Sequence, residues 1–234
     1  MAKTKKKQGN EGLDFIENPD ALVSKTEAFF NEKKNQSLVF GVGGVLALIV
    51  VAFMAYQYYI NNRNSEAQVE MFQAVYYFDA DSIGKALNGD GNNYGFLDIV
   101  DYFSGTEAAN LSNFYIGASY MKLGDYENAI RPLESFSSQD LLVQARANSL
   151  VGDAYMELDD FESAVSWYSK AASYKPNKDF TPVYLTKLAI AQEVKGDLQG
   201  AASTYGKIVN EYFGSTAYQE AQKQKARLEG LLVD

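Results

Sequence analysis

The chain has 234 residues, of which 47% are hydrophobic and 14% aromatic, enough for a core of ordinary domain size. It contains no histidine and no cysteine, which excludes disulfides, thiol nucleophiles, imidazole bases and zinc sites built on these residues. The formal net charge of −9 argues against non-specific binding of nucleic acid, and no cofactor is expected.

The first segment, residues 1–36, is polar and rich in lysine. Residues 1–17 are expected to be disordered. Asn18-Pro19 is typical of a helix cap followed by a first-turn proline, and it opens a stretch whose partial apolar face includes Phe29 and Phe30. Two interpretations stay open. This stretch is either a short amphipathic helix at a membrane surface or a plain continuation of the helix that follows.

Residues 37–60 read SLVFGVGGVLALIVVAFMAYQYYI, and no charged residue occurs between Lys34 and Arg63. The apolar part, residues 38–55, would be roughly 27 Å long as a helix, close to the thickness of a bilayer core. The tyrosines at its end are typical of a membrane interface. A cleaved signal peptide would be shorter and would end at a small-residue cleavage site. The sequence therefore predicts one transmembrane helix.

Lysine and arginine are distributed unevenly about this segment. Seven lysines precede it, whereas the 20 residues after it carry only Arg63. Because positively charged flanks stay in the cytoplasm, the N-terminus is predicted to be cytoplasmic and the rest of the chain to lie on the other side of the membrane.

A recurring spacing occupies the second half of the chain. Small and aromatic residues that follow Gly117 recur 35 residues later after Gly152. The members are Gly117, Tyr120, Tyr126 and Ala129, then Gly152, Tyr155, Phe161, Ala164, Tyr168, Ala171 and Pro176. This is the helix–turn–helix pattern of tetratricopeptide repeats.

The spacing predicts an all-α fold, in which a single N-terminal transmembrane helix is followed by a tetratricopeptide solenoid. Residues 61–105 form a degenerate repeat with the inserted loop NGDGNNYG, and residues 106–234 hold the repeats and a polar capping helix, with Thr106 as the first cap. The helices are expected at 108–123 and 126–136, within 142–174 and 181–212, and after residue 215.

In such solenoids the first helix of each repeat lines the concave face. With Gly117, Gly152 and Ala189 as equivalent positions, nine residues are the candidates for a partner-binding groove. They are Leu111, Phe114, Ala118, Met121, Arg146, Asp153, Met156, Val183 and Ile190; the neighbouring inward positions are Ser149, Thr186 and Glu193. This lining is mostly apolar, and its methionines adapt to varied partners, so we expect binding of hydrophobic segments with little dependence on salt. The alternative is a groove filled by the chain's own first helices or by a fixed partner.

Two groups of carboxylates raise the possibility of an enzyme. Asp159-Asp160 and Asp153 with Glu157 lie close together in sequence. Aspartates at a turn before a helix are usually caps, and glutamates at helical spacing usually face solvent. We therefore predict no catalytic, cofactor-binding or metal-binding residues.

The short tail, the single span and the repeats with a polar last helix resemble the YfgM-like family of membrane-anchored tetratricopeptide proteins. The resemblance implies a bacterial inner-membrane protein with its repeats in the periplasm, acting as an ancillary subunit of the SecYEG translocon. Its implied partners are a PpiD-like periplasmic chaperone and exported polypeptides. The alternative is a scaffold for assembly of the cell wall or outer membrane.

Overall fold

The computed structural model describes residues 27–233, in which the regular secondary structure is entirely α-helical. Residues 27–31 are helical, and ten further helices follow from residue 33 on. They are α1 (Lys33–Asp79), α2 (Ile83–Asn88), α3 (Phe96–Tyr102), α4 (Glu107–Leu123), α5 (Tyr126–Ser135), α6 (Leu141–Glu157), α7 (Phe161–Ser173), α8 (Thr181–Lys195), α9 (Leu198–Glu211) and α10 (Tyr218–Leu231). The helix start predicted at Asn18-Pro19 lies outside the described residues.

The described residues form two compact units, one ending at Tyr59 and one beginning at Ile60. The first unit contains the apolar part of α1, which is long and apolar enough to span a membrane, with a mean hydropathy of 2.7 and none of its most apolar stretch buried. The helix does not end with the apolar segment. It continues to Asp79, because residues 61–79 contain neither proline nor glycine to interrupt it.

In the second unit, the predicted repeats are confirmed as three helix pairs, α4 with α5, α6 with α7 and α8 with α9. The bounds of the three repeats differ from the expected ones by at most one residue, whereas the last helix begins at Tyr218, three residues after its predicted start. Thr106 caps α4 as predicted, since its hydroxyl accepts a hydrogen bond from the Ala109 amide at 3.1 Å. The polar last helix is α10, which packs on α9.

The turns within the three helix pairs are built alike: a residue in the left-handed conformation is followed by an aspartate that caps the second helix. Gly124 ends α4 in the left-handed conformation at φ 73°, and Asp125 then caps α5. Gly196 and Asp197 do the same between α8 and α9. In the middle repeat the left-handed position is held by Asp159, at φ 57°, and Asp160 caps α7. Aspartate tolerates this conformation less well than glycine does, but better than most residues.

The degenerate repeat is a packed unit as well. Ala67, Met71 and Ala74 of α1 are buried together with Phe96 and Ile99 of α3. The loop NGDGNNYG is closed around Asp90, whose carboxylate accepts hydrogen bonds from the Tyr77 hydroxyl at 2.7 Å and from the Asn92 and Asn93 amides at 2.9 and 2.8 Å. These bonds, the one from Tyr77 above all, lower the pKa of Asp90. The insertion is therefore a folded connection between α2 and α3.

Close contact within each pair depends on a small residue in the first helix. A Cβ atom added at Gly117 would lie 2.3 Å from Leu133 Cγ, and one at Gly152 would lie 2.7 Å from the Tyr168 ring. The equivalent Ala189 is fully buried. The two helices of a pair can approach only because the first offers so little volume at this point.

The Gly152 contact yields a stability prediction. Gly152→Ala should lower the free energy of unfolding by about 1–3 kcal/mol, because the added methyl group enters the Tyr168 ring. The measurement is denaturant unfolding of the purified chain in detergent, followed by circular dichroism.

Gly206→Ala is the matched control. Gly206 is also a buried helical glycine, but a Cβ atom there would lie no nearer than 3.4 Å to the flexible side chain of Lys225. This variant should be neutral or gain up to about 1 kcal/mol from helix propensity. Equal stability of both variants would contradict the proposed packing.

Candidate functional site

A central cleft of about 410 Å³ crosses the three repeats on the side of their first helices. It receives side chains from five helices, α4 to α8. Its lining consists of Met121, Tyr126, Asp153, Met156, Glu157, Tyr168, Lys187 and Ile190. The cleft is thus a surface that only the stacked repeats produce, and none of the helices forms it alone.

A smaller side cleft of about 200 Å³ lies between α6 and α8. Arg146, Asp153 and Lys187 supply charge, while Phe180 and Val183 supply exposed apolar surface. Asp153 and Lys187 line both clefts. Within residues 27–233 Arg146 has no ion-pair partner, so its guanidinium is available to a ligand.

The wall that the two clefts share is a polar triad of Asp153, Tyr168 and Lys187. The Tyr168 hydroxyl donates to Asp153 Oδ1 at 2.6 Å. Lys187 Nζ lies 2.7 Å from both Asp153 carboxylate oxygens and donates to Ser149 Oγ at 3.2 Å. These residues come from α6, α7 and α8, so the triad joins the second repeat to the third.

Burial and the neighbouring carboxylate of Asp153 raise the pKa of Tyr168 far above its usual value. The phenol therefore stays protonated and remains a hydrogen-bond donor to Asp153. Asp153 thus accepts a hydrogen bond from the neutral phenol, and its charge is compensated by Lys187. The triad is suited to hold the cleft wall in one geometry, since each partner restricts the rotamers of the others.

The structure brings six of the nine predicted groove residues into the two clefts. Met121, Met156 and Ile190 line the central cleft, Arg146 and Val183 line the side cleft, and Asp153 lines both.

The remaining three residues do not line either cleft. Leu111 and Phe114 pack against the cores of the unit, and the Phe114 ring lies 5.4 Å from that of Phe136. Ala118 is half-buried. Glu193, a neighbouring inward position, forms an ion pair with Arg227 of α10.

The clefts combine apolar side chains with charged ones. Lys187 was not predicted, and its ammonium group lies 2.7 Å from the carboxylate of Asp153 in a charge-assisted pair. Lys187 lies two positions before Ala189, where the earlier repeats have Tyr115 and Leu150. A lysine at a position that is otherwise apolar was the available signal. Binding in the clefts is therefore expected to depend on salt.

The carboxylate pairs considered for catalysis have structural roles. Asp160 caps α7 by accepting from the Ser163 amide at 3.1 Å, which lowers its pKa. Asp159 occupies the left-handed turn position. Asp153 is committed to Tyr168 and Lys187. In the described part of the chain, no group of three or more acidic side chains is placed to hold a metal ion.

Comparisons with known proteins agree with this architecture. Tetratricopeptide-repeat profiles match residues 112–140 and 145–178. Two crystal structures of the nearly identical TPR-like repeats of a kinesin light chain from Podosopora anserina are similar to the chain, with TM-scores of 0.54 at 15% and 14% identity. Each aligns with 71% of this chain and with 86% or 87% of its own length. No curated protein matches the chain.

The chain therefore contains tetratricopeptide repeats in an α-helical solenoid, and it has one helix long and apolar enough to span a membrane. Repeats of this kind indicate a scaffold for protein–protein interaction, a role typically without catalysis.

The triad makes a prediction about the site itself. Tyr168→Phe removes one hydrogen bond to a charged acceptor and should lower the free energy of unfolding by about 1–2 kcal/mol. Tyr155→Phe is the control, because the half-buried Tyr155 has no hydrogen-bond partner among residues 27–233. If denaturant unfolding shows the same stability for both variants, the Tyr168 hydroxyl does not stabilise the cleft wall.

Proposed function

We propose that this protein is a membrane-anchored scaffold whose central cleft binds extended segments of partner proteins. The observation that carries the proposal is a cleft lined from three successive repeats, on a chain that also has an apolar helix of membrane-spanning length. Extended peptides suit such a cleft, because it runs across the stacked helices and offers contacts from each in turn.

The chemistry of the clefts describes the partner. Met121, Met156 and Ile190 present adaptable apolar surface, which accepts side chains of different shapes. Beside them, the guanidinium of Arg146 favours a carboxylate, and Phe180 next to it offers an aromatic face. The favoured ligand is a partly hydrophobic segment that carries an acidic group.

The resemblance to the YfgM-like family supports a more specific role. In this proposal the chain lies in the bacterial inner membrane with its repeats in the periplasm, next to the SecYEG translocon. Its partners are a PpiD-like chaperone and exported polypeptides as they emerge. The lysine-rich N-terminal segment supports this orientation. Mild-detergent purification followed by mass spectrometry tests the partners: recovery of cell-wall or outer-membrane assembly factors in place of translocon subunits would overturn this assignment.

The orientation predicts a protease pattern. Protease added to cells with a permeabilised outer envelope should remove the repeats and leave a small membrane fragment that contains the N-terminus, since only the lysine-poor side of the helix is exported. A cytoplasmic protein serves as the control for intact inner membranes. Protection of the C-terminal domain would show the opposite orientation.

The cleft predicts a partner-binding defect. Ile190 lines the central cleft and is 44% exposed, so Ile190→Ala should leave the fold intact and weaken partner binding. If Ile190 is a principal contact, the loss is about 2 kcal/mol, or roughly thirtyfold in affinity. The measurement is recovery of partners identified in the wild-type purification.

Val194→Ala is the matched control, because Val194 lies on the same helix, is 52% exposed and does not line the cleft. A photoreactive residue placed at 156 should cross-link the same partners, whereas one at 222 on α10 should not. A similar loss in both alanine variants, or equal cross-linking at both sites, would place the partner outside the cleft.

A further inference from the structure

The part of α1 within the second unit has an uncovered apolar face. Val69, Phe72 and Tyr76 are 74%, 72% and 59% exposed. Their spacing of three and four residues places them on one side of the helix. Ser65 and Gln68 complete a shallow depression with Val69 and Phe72. We call the face formed by Ser65, Val69, Phe72 and Tyr76 the α1 seam.

This face cannot turn inward, because the opposite side of the same helix is already buried in the core of the repeat unit. Ala67, Met71 and Ala74 are buried in the core with α3 and α4. Helix α1 therefore carries two apolar faces, one inside the repeat unit and one in contact with water. Three large apolar side chains in register on an exposed helix mark an interaction surface.

We propose that the α1 seam binds the α1 seam of a second copy of this chain, as a parallel two-stranded coiled coil. The spacing 62, 65, 69, 72, 76 follows the alternation of three and four residues that such a coil requires. Val69 then occupies an a position and Phe72 a d position. Asn62, also exposed, takes the preceding a position, where a single asparagine specifies the register of two-stranded coils.

The residues beside the seam fit an identical partner. In a parallel register Gln68 of one copy faces Gln73 of the other, and Asn61 faces Glu66. These pairs are amide with amide and amide with carboxylate, so each can form a hydrogen bond. Because Glu66 is the only charged residue among them, two copies meet without like-charge repulsion across the seam.

The sequence extends the same alternation toward the N-terminus. The further positions are Tyr58, Ala55, Val51, Leu48, Gly44 and Gly41. Small residues near the end of this series suit close approach of two helices in a membrane. Membrane anchoring, which belongs to the proposed function, would also hold both copies parallel and raise their effective concentration. This regular series favours a second copy over an unrelated protein.

The experiment uses the absence of native cysteine. Single cysteines are introduced into the full chain at 65, 66, 69, 70, 72, 73 and 76, and membranes are oxidised with a copper catalyst. Covalent dimers of about twice 25.9 kDa should form most at 65, 69, 72 and 76 and at least fivefold less at 66, 70 and 73. Gln222→Cys, exposed on α10, should give none.

Three outcomes would overturn the proposal. An adduct of any other mass means that a different protein covers the seam, and uniform or absent cross-linking means that no coiled coil forms there. The third is an unchanged oligomeric state of Phe72→Glu in detergent, measured by mass photometry, relative to the wild-type dimer. Phe72 is exposed, so this variant should keep its helical circular dichroism. Membrane fractionation of each variant reports anchoring separately, so a failed anchor and a failed seam are distinguishable.

Discussion

The repeat unit depends on one steric constraint, the close approach of two helices at a residue that has almost no side chain. The space beside the Gly117 backbone is occupied by Leu133 of the following helix, and the space beside Gly152 is occupied by Tyr168. Any added carbon would push the pair apart, and in a solenoid each pair forms the surface on which the next one packs. The position of the cleft follows from these contacts, because the first helices are spaced by them.

Tyr168 connects this packing to the candidate site. Its ring fills the space beside Gly152, and its hydroxyl reaches Asp153, the next residue on the same helix. Asp153 in turn holds Lys187 of the third repeat. The geometry of the cleft wall is therefore coupled to the packing of the core by a single side chain. This arrangement fits a preformed binding surface, since the groups that face a partner are already held in place before it arrives.

Helix α1 has two stretches of different character. From Leu38 to Tyr59 it is almost wholly apolar and uncovered, which is the composition that a membrane-spanning helix needs. From Ile60 to Asp79 it contributes one face to the core of the repeat unit and leaves the α1 seam uncovered. The N-terminal end of a solenoid has no preceding repeat to cover it, and a second copy of the same helix is one way to protect an apolar face at that end.

The sequence alone determined the elements that depend on local chemistry. Gly124 and Asp125, like Gly196 and Asp197, mark a helix end and the next helix start because left-handed backbone and side-chain caps each need particular residues. The apolar run of α1 and the repeat spacing are equally local, which explains why the apolar segment and the bounds of the three repeats could be predicted, whereas the continuation of α1 to Asp79 was not predicted. Which side chains line the clefts depends instead on contacts between residues far apart in the sequence. Only the tertiary structure decided that Lys187 pairs with Asp153 and that Phe114 packs against Phe136, because the rotation of each helix about its axis is set by the neighbours that it meets in the solenoid.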